Sequence, residues 1–349
     1  MSDKQLVSKK RIPWLDQVKA ISMYLVVLGH AVLPVNKKGL FKIIYSFHMP
    51  LFFMLSGFVF NPDKYERIFD CVKDKLIKIA YPYVMLNLLC IPLWMMNVDS
   101  GMVAKDSLLK VIIGIFYSNA KVVRAPSNAT WFLMTLLLSE VIYYVIWKFF
   151  KEDRQVFIMS SILLVLGVIS PMGQEVLNAP FHLGVSFVAQ FYFGCGYMIK
   201  KHFAYVEQFF KENRVLKMAG LALGGLFFAM INKQLDMSNE NYRDIIYTLI
   251  SSLSLSVFVI YLIRFSGIKS KLFSYIGKNT IIILALHIPV LRVLQASFPI
   301  FLSSIPYAIL ASLIIYMLCI PIVWIVKKCF PFVLKMPKAM QNLILSIKL

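Results

Sequence analysis

Ten long apolar stretches recur along this chain, most of them parted by short segments that carry Lys and Arg. A helix rises 1.5 Å per residue, so about 20 apolar residues cross the hydrocarbon core of a bilayer. The stretches fall at 20–35, 43–60, 79–97, 131–149, 156–172, 182–199, 215–231, 245–263, 276–294 and 305–326. The fifth and seventh are among the shortest. Segment 108–118 is apolar but too short to span, and reads as an interfacial or re-entrant piece. The expected fold is therefore all-α: a polytopic transmembrane helical bundle of about ten spans. It forms one integral-membrane domain over 1–349, without a soluble second domain, internal repeat or low-complexity linker.

Composition agrees. Hydrophobic residues make up 59% of the chain and charged residues 15%, against a usual charged share of about 25%. Mean hydropathy is +0.73. Such a chain is neither disordered nor an ordinary soluble enzyme; its apolar excess needs the lipid bilayer as partner. The net charge of +20 does not point to nucleic acid, because the basic residues are dispersed between apolar runs and no soluble domain presents a groove. The five cysteines are scattered, with no CxxC pair and no metal-ligand spacing, so no disulfide framework and no metal site are expected. The first apolar run lacks a small-residue cleavage site and is followed directly by a second, as in a retained first span.

Ten spans put both termini on one side. With the N-terminus inside, the inner segments hold 25 Lys and Arg and the outer ones 10. The positive-inside rule then places both termini in the cytoplasm, and the expected location is the plasma (inner) membrane. The largest outer loop is 98–130.

Polar groups at bilayer depth are costly and each is a functional candidate. Lys19 and His30 stand 11 residues apart, about three turns and about 16 Å, so they share one face of the first helix. Lys19 sits at the cytoplasmic mouth, where it can also simply snorkel to headgroups; Asp16 can pair with it if the helix reaches back that far. His48, beside Pro50, lies about five residues in from the outer end of the second span, as His30 does in the first. His287 stands roughly 16 Å above the inner face of the ninth span. Three imidazoles at one depth on three helices suggest a polar cavity. Glu140, about nine residues below Trp131, fits either a cavity group or an interhelical hydrogen bond, and Gln190 reads as interhelical glue. Trp131, with Arg124 and Asn128 before it, brings an aromatic ring and polar donors to the outer mouth; an interfacial aromatic belt and a loop-to-helix turn are the simpler account of Trp131.

The motifs resemble the acyltransferase 3 family of integral-membrane acyltransferases. Trp14-Leu15-Asp16-Gln17-Val18-Lys19-Ala20, leading to Leu28-Gly29-His30, resembles the family's basic-x10-His signature, with Lys19 where many members have Arg. Phe47-His48-Met49-Pro50-Leu51-Phe52-Phe53-Met54-Leu55-Ser56-Gly57 resembles its FF-x-LSG motif, in the form of the fucose-4-O-acetylase-like branch. Tyr81-Pro82-Tyr83, Trp131-Phe132-Leu133 and Gly277-Lys278-Asn279-Thr280 followed by His287 are similar to further family segments, in family order over nearly the whole chain.

The resemblance implies an O-acyltransferase using cytoplasmic acyl-CoA, usually acetyl-CoA, with a glycan or glycolipid hydroxyl outside as acceptor. Lys19, Lys75, Lys78 and Lys278 are then candidates for the CoA phosphates, although positive-inside topology alone explains the last three. His30 would act as general base or as nucleophile, with Lys19 and His48 beside it in the catalytic set. His48 or His287 would orient it or serve the carbonyl oxygen. Asn128, Trp131, Arg124, Glu140 and His287 are the candidates for the acceptor. Succinyl or another acyl group would suit the same fold, and the competing function is a glycan transporter or exporter using the cavity without chemistry.

Overall fold

Helices occupy every apolar stretch named above. The computed structural model describes residues 12–36, 39–119, 122–150, 152–169, 179–233, 235–242 and 244–347. In chain order the α-helices are α1 Pro13–Val32, α2 Gly39–Val59, α3 Ile68–Lys75, α4 Tyr81–Leu89, α5 Ile91–Asp99, α6 Leu108–Tyr117, α7 Trp131–Phe149, α8 Asp153–Ile169, α9 Leu183–Lys201, α10 Phe203–Lys211, α11 Arg214–Ile231, α12 Ile245–Ser266, α13 Lys271–Lys278, α14 Thr280–Ser297, α15 Ile305–Cys329 and α16 Lys338–Ser346. The described residues form no strand; their β-type pairing is confined to two bridges, Asn119 with Val123 and Asp236 with Asn241.

Ten spans were the expectation. Among the described residues seven helices are long and apolar enough to cross a membrane: α1, α2, α7, α11, α12, α14 and α15. An eighth results if α3–α5, bent by 40° around Cys90, is one span. The other two stretches form helices that fall short for visible reasons. Helix α8 has 17 residues, and the rest of that stretch lies outside the described residues. The 19 residues of α9 include three glycines, Gln190 and two terminal lysines. Helix α9 is covered by protein instead, packing on α2, α7 and α8. Its crossing with α2 is backbone to backbone: a Cβ on Gly57 would collide with the Phe193 carbonyl, and one on Gly196 with that of Met54. Small residues allow such approach where no water drives helices together. Gln190 acts as the expected glue, donating to the Ser160 carbonyl at 2.9 Å.

Burial divides the bundle. Of the spanning windows, 72% of residues are buried in α1 but only 17% in α11. Helix α11 turns Val215, Leu216, Leu223 and Phe227 outward, an apolar surface suited to lipid. Segment α6 is 10 residues long, about 15 Å, half a bilayer core, which fits the expected interfacial piece. Between α3 and α4 the chain makes a π-helical turn, Leu76–Ala80, with the Tyr81 N–H bonded to the Leu76 carbonyl. Pro82 follows at once and has no N–H to carry the α-helical bond back to Lys78.

Candidate active site

Two cavities follow one another along α1, α2, α7 and α14. The first, about 180 Å³, is apolar apart from its end at Lys19 and two hydroxyls, Ser56 and Thr280. Its walls are Met23 and Val26 of α1, Met49, Phe52 and Leu55 of α2, Phe132, Leu133 and Leu136 of α7, and Ile281 and Leu284 of α14. The second, about 590 Å³, is the more polar of the two, although Leu33, Met102, Ile288 and Leu291 also face it. It is lined by His30 of α1, Tyr45 of α2, Trp131 at the start of α7 with Arg124 and Asn128 before it, Arg292 and Gln295 of α14, and Asp236, Ser238 and Asn239 of the loop before α12.

The imidazoles stand where one cavity gives way to the other. On α14, His287 lies between Leu284 of the apolar cavity and Ile288 of the polar one. On α2, His48 lies between Tyr45 of the polar cavity and Met49 of the apolar one. On α1, Val26 and His30 mark the same change within one turn. The His30 and His287 rings are 5.2 Å apart. Tyr45 connects the layer: its ring is 4.7 Å from that of His48, and its hydroxyl is 3.4 Å from His30 Nδ1.

Two of these imidazoles have their tautomer set by the backbone. His48 Nδ1 is 2.8 Å from the Ile44 carbonyl and His287 Nδ1 is 2.9 Å from that of Ile283. A carbonyl only accepts, so each Nδ1 carries the proton and Nε2 of the neutral ring is an acceptor. His287 Nε2 is buried without a hydrogen-bond partner. A proline follows two residues after each of these histidines, Pro50 and Pro289, inside the helix. It removes one helical N–H and frees the carbonyl four residues back. The one freed by Pro289, on Ala285, accepts from the Cys90 thiol at 3.5 Å.

The other candidates separate by place. Helix α1 takes in both Asp16 and Lys19, so Lys19 and His30 stand on one regular helix with Lys19 at the far end of the apolar cavity. Gly277 packs directly on the Asp16 carbonyl, where a Cβ would collide, and brings Thr280 and Ile281 to the same cavity. Lys278 itself is exposed. Lys78 is exposed too and pairs with Asp74 at 2.5 Å. Lys75 forms a largely buried ion pair with Glu140 and lies over the Phe60 and Tyr65 rings at 5.4 and 5.8 Å. The pair joins residues whose types and depths suggested a donor phosphate for one and the acceptor cavity for the other; neither lines either cavity. Arg124, Asn128 and Trp131 do share the polar cavity, where the Trp131 ring also leans on His182 at 5.4 Å. Among the described residues no group of three His, Cys, Asp or Glu is placed to hold a metal ion.

Several polar lining groups escaped the sequence argument: Tyr45, Arg292 and Gln295 on helices, and Asp236, Ser238 and Asn239 on a loop. Tyr45 was visible as one turn before His48, and Arg292 as little more than one turn beyond His287 on the same helix. Asp236 carried no such signal, since a tight loop returns it: its backbone pairs with Asn241, and its carboxylate accepts from Ser238 and Asn239.

In comparison with known proteins, a family model described as an acyltransferase domain matches residues 12–326. No curated protein and no solved structure matches the chain.

Proposed function

The chain belongs to this family of membrane acyltransferases, and from that premise we propose that it moves an acyl group, acetyl by default, from acyl-CoA to a hydroxyl of a glycan or glycolipid, as in the fucose-4-O-acetylase-like branch. With ten spans and both termini cytoplasmic, as the distribution of Lys and Arg favours, the Lys19 end of α1 faces the cytoplasm and the His30 end faces out. The host membrane is then the plasma membrane.

The observation that carries this reading is the pair of unlike cavities meeting at the imidazole layer. A pantetheine arm is narrow and mostly apolar, and its length matches the roughly 16 Å of helix between Lys19 and His30. Lys19 at the mouth, with Lys78 and Lys278 nearby at the surface, suits the phosphates of CoA. The wider polar cavity suits a sugar, with Trp131 as a stacking face and Asn128 as a hydrogen-bonding group. At the junction, His30 takes the proton of the acceptor hydroxyl as its oxygen attacks the thioester carbonyl. The carbon–sulfur bond breaks, and the CoA thiolate leaves to be protonated. His48 and His287 hold the layer, each locked by its backbone bond, and accept rather than donate while neutral.

The test is acyl transfer in membranes carrying wild type or His30→Ala at matched expression, with acetyl-CoA labelled in the acetyl group. Label in the glycan fraction with wild type and none with His30→Ala upholds the reading. Equal labelling removes His30 from the chemistry. No labelling with either refutes acetyl transfer, and CoA binding to the same membranes then separates another donor or acceptor from a glycan exporter.

A further inference from the structure

The polar cavity holds more positive charge than a neutral sugar needs. Arg124 and Arg292 both line it. Among the described residues neither guanidinium has a carboxylate within ion-pairing distance. Asp236, the acidic residue on the wall, is already engaged by Ser238 and Asn239. Arg292 is half-buried and Arg124 is exposed, and one turn along α14 the Gln295 side chain is 3% exposed. The Gln295 amide nitrogen has no hydrogen-bond partner. A buried donor left unpaired, as on Gln295, costs free energy, and a guanidinium is shaped to bind a carboxylate or phosphate through two parallel hydrogen bonds. A cavity walled by two such groups and an unsatisfied amide is built to receive an anion.

Resting on the acyl-transfer reading of the same site, we infer that the acceptor is anionic: the glycan that receives the acyl group carries a carboxylate or phosphate, which Arg292, Arg124 and Gln295 hold while the hydroxyl is presented to His30. The anion has two sources, an acidic sugar or the phosphate that joins a glycan to its lipid carrier. Either gives the cavity the same chemistry.

The product itself reports the answer. Wild-type membranes with their own glycans are supplied with acetyl-labelled acetyl-CoA, and the labelled product is passed over an anion exchanger at neutral pH, before and after mild acid release of the lipid. Retention in both runs supports an acidic sugar; retention only before release supports a lipid-linked phosphate. Labelled product that passes unretained in both runs overturns the anionic acceptor and leaves acyl transfer standing. If no label enters glycan at all, acyl transfer has failed and this inference falls with it. Arg292→Gln is expected to lower labelling about tenfold or more, with Arg292→Lys, which keeps the charge, falling less. Arg292→Gln labelling at the wild-type rate overturns the proposal. Chromatography of the wild-type product decides the matter even where the Gln variant fails to fold.

Discussion

The two cavities follow the same four helices and differ most in the polar groups that reach their walls, many of which come to the second from the loops that cap it. Below the imidazole layer the walls are Met, Val, Leu, Ile and Phe with a lysine at the far end; above it Arg, Asn, Gln, Asp and Trp join apolar groups such as Leu33, Met102, Ile288 and Leu291. The change takes about one helical turn, from Leu284 to Ile288 on α14 and from Val26 to His30 on α1. Four helices therefore run through both chambers, and the loops at their outer ends add Arg124, Asn128 and Asp236 to the second. A slender apolar ligand and a polar one can then meet without either entering the other's space.

Substitutions can break or sharpen this comparison. His30→Ala removes the imidazole at the junction of the chambers, and transfer should fall by about 10²–10⁴, the usual worth of a general base; steady-state rates at saturating donor check it. Lys75→Met acts outside both chambers. It leaves Glu140 buried and unpaired, and should destabilise the protein by about 3–5 kcal/mol, with the double variant Lys75→Met/Glu140→Leu regaining most of that. Denaturation in detergent reads both, and equal losses in single and double variants would mean that the pair is not what joins α3 to α7. Val26→Trp fills the apolar chamber alone. The KM for acyl-CoA should rise about tenfold, the scale of an overpacking penalty, and the acceptor KM should not follow. Asn128→Ala is the mirror case with the smallest effect: the acceptor KM rises roughly two- to tenfold for one lost hydrogen bond, while the donor KM holds. Should Val26→Trp and Asn128→Ala move the same KM, the chambers do not serve different ligands.

Helix rise alone brought His30, His48 and His287 to one depth, and the contacts between their rings and Tyr45 follow that arithmetic. Lys19 at the far end of the same helix was legible for the same reason. Gln190 was legible as a bridge because a buried amide in a span must find a partner. The Lys75–Glu140 pair was not, since it depends on how the π-helical turn at Leu76–Ala80 sets α3 against α7. Nor could periodicity show that α9 is sheathed by protein, because the reason is the glycine contacts of Gly57 and Gly196 with a partner distant in sequence. Asp236 and Arg292 meet in one cavity only through the folding of a loop onto a helix end. Depth along a helix can be read from spacing; which faces meet across helices cannot.

The most direct test of two chambers opening to opposite sides uses sealed membrane vesicles of both orientations, with acetyl-labelled acetyl-CoA supplied only outside. Vesicles with the cytoplasmic face outward should label glycan, and those with the external face outward should not until they are made permeable. Equal labelling of the two intact populations would contradict the account, because the donor would then be reaching His30 through the polar chamber.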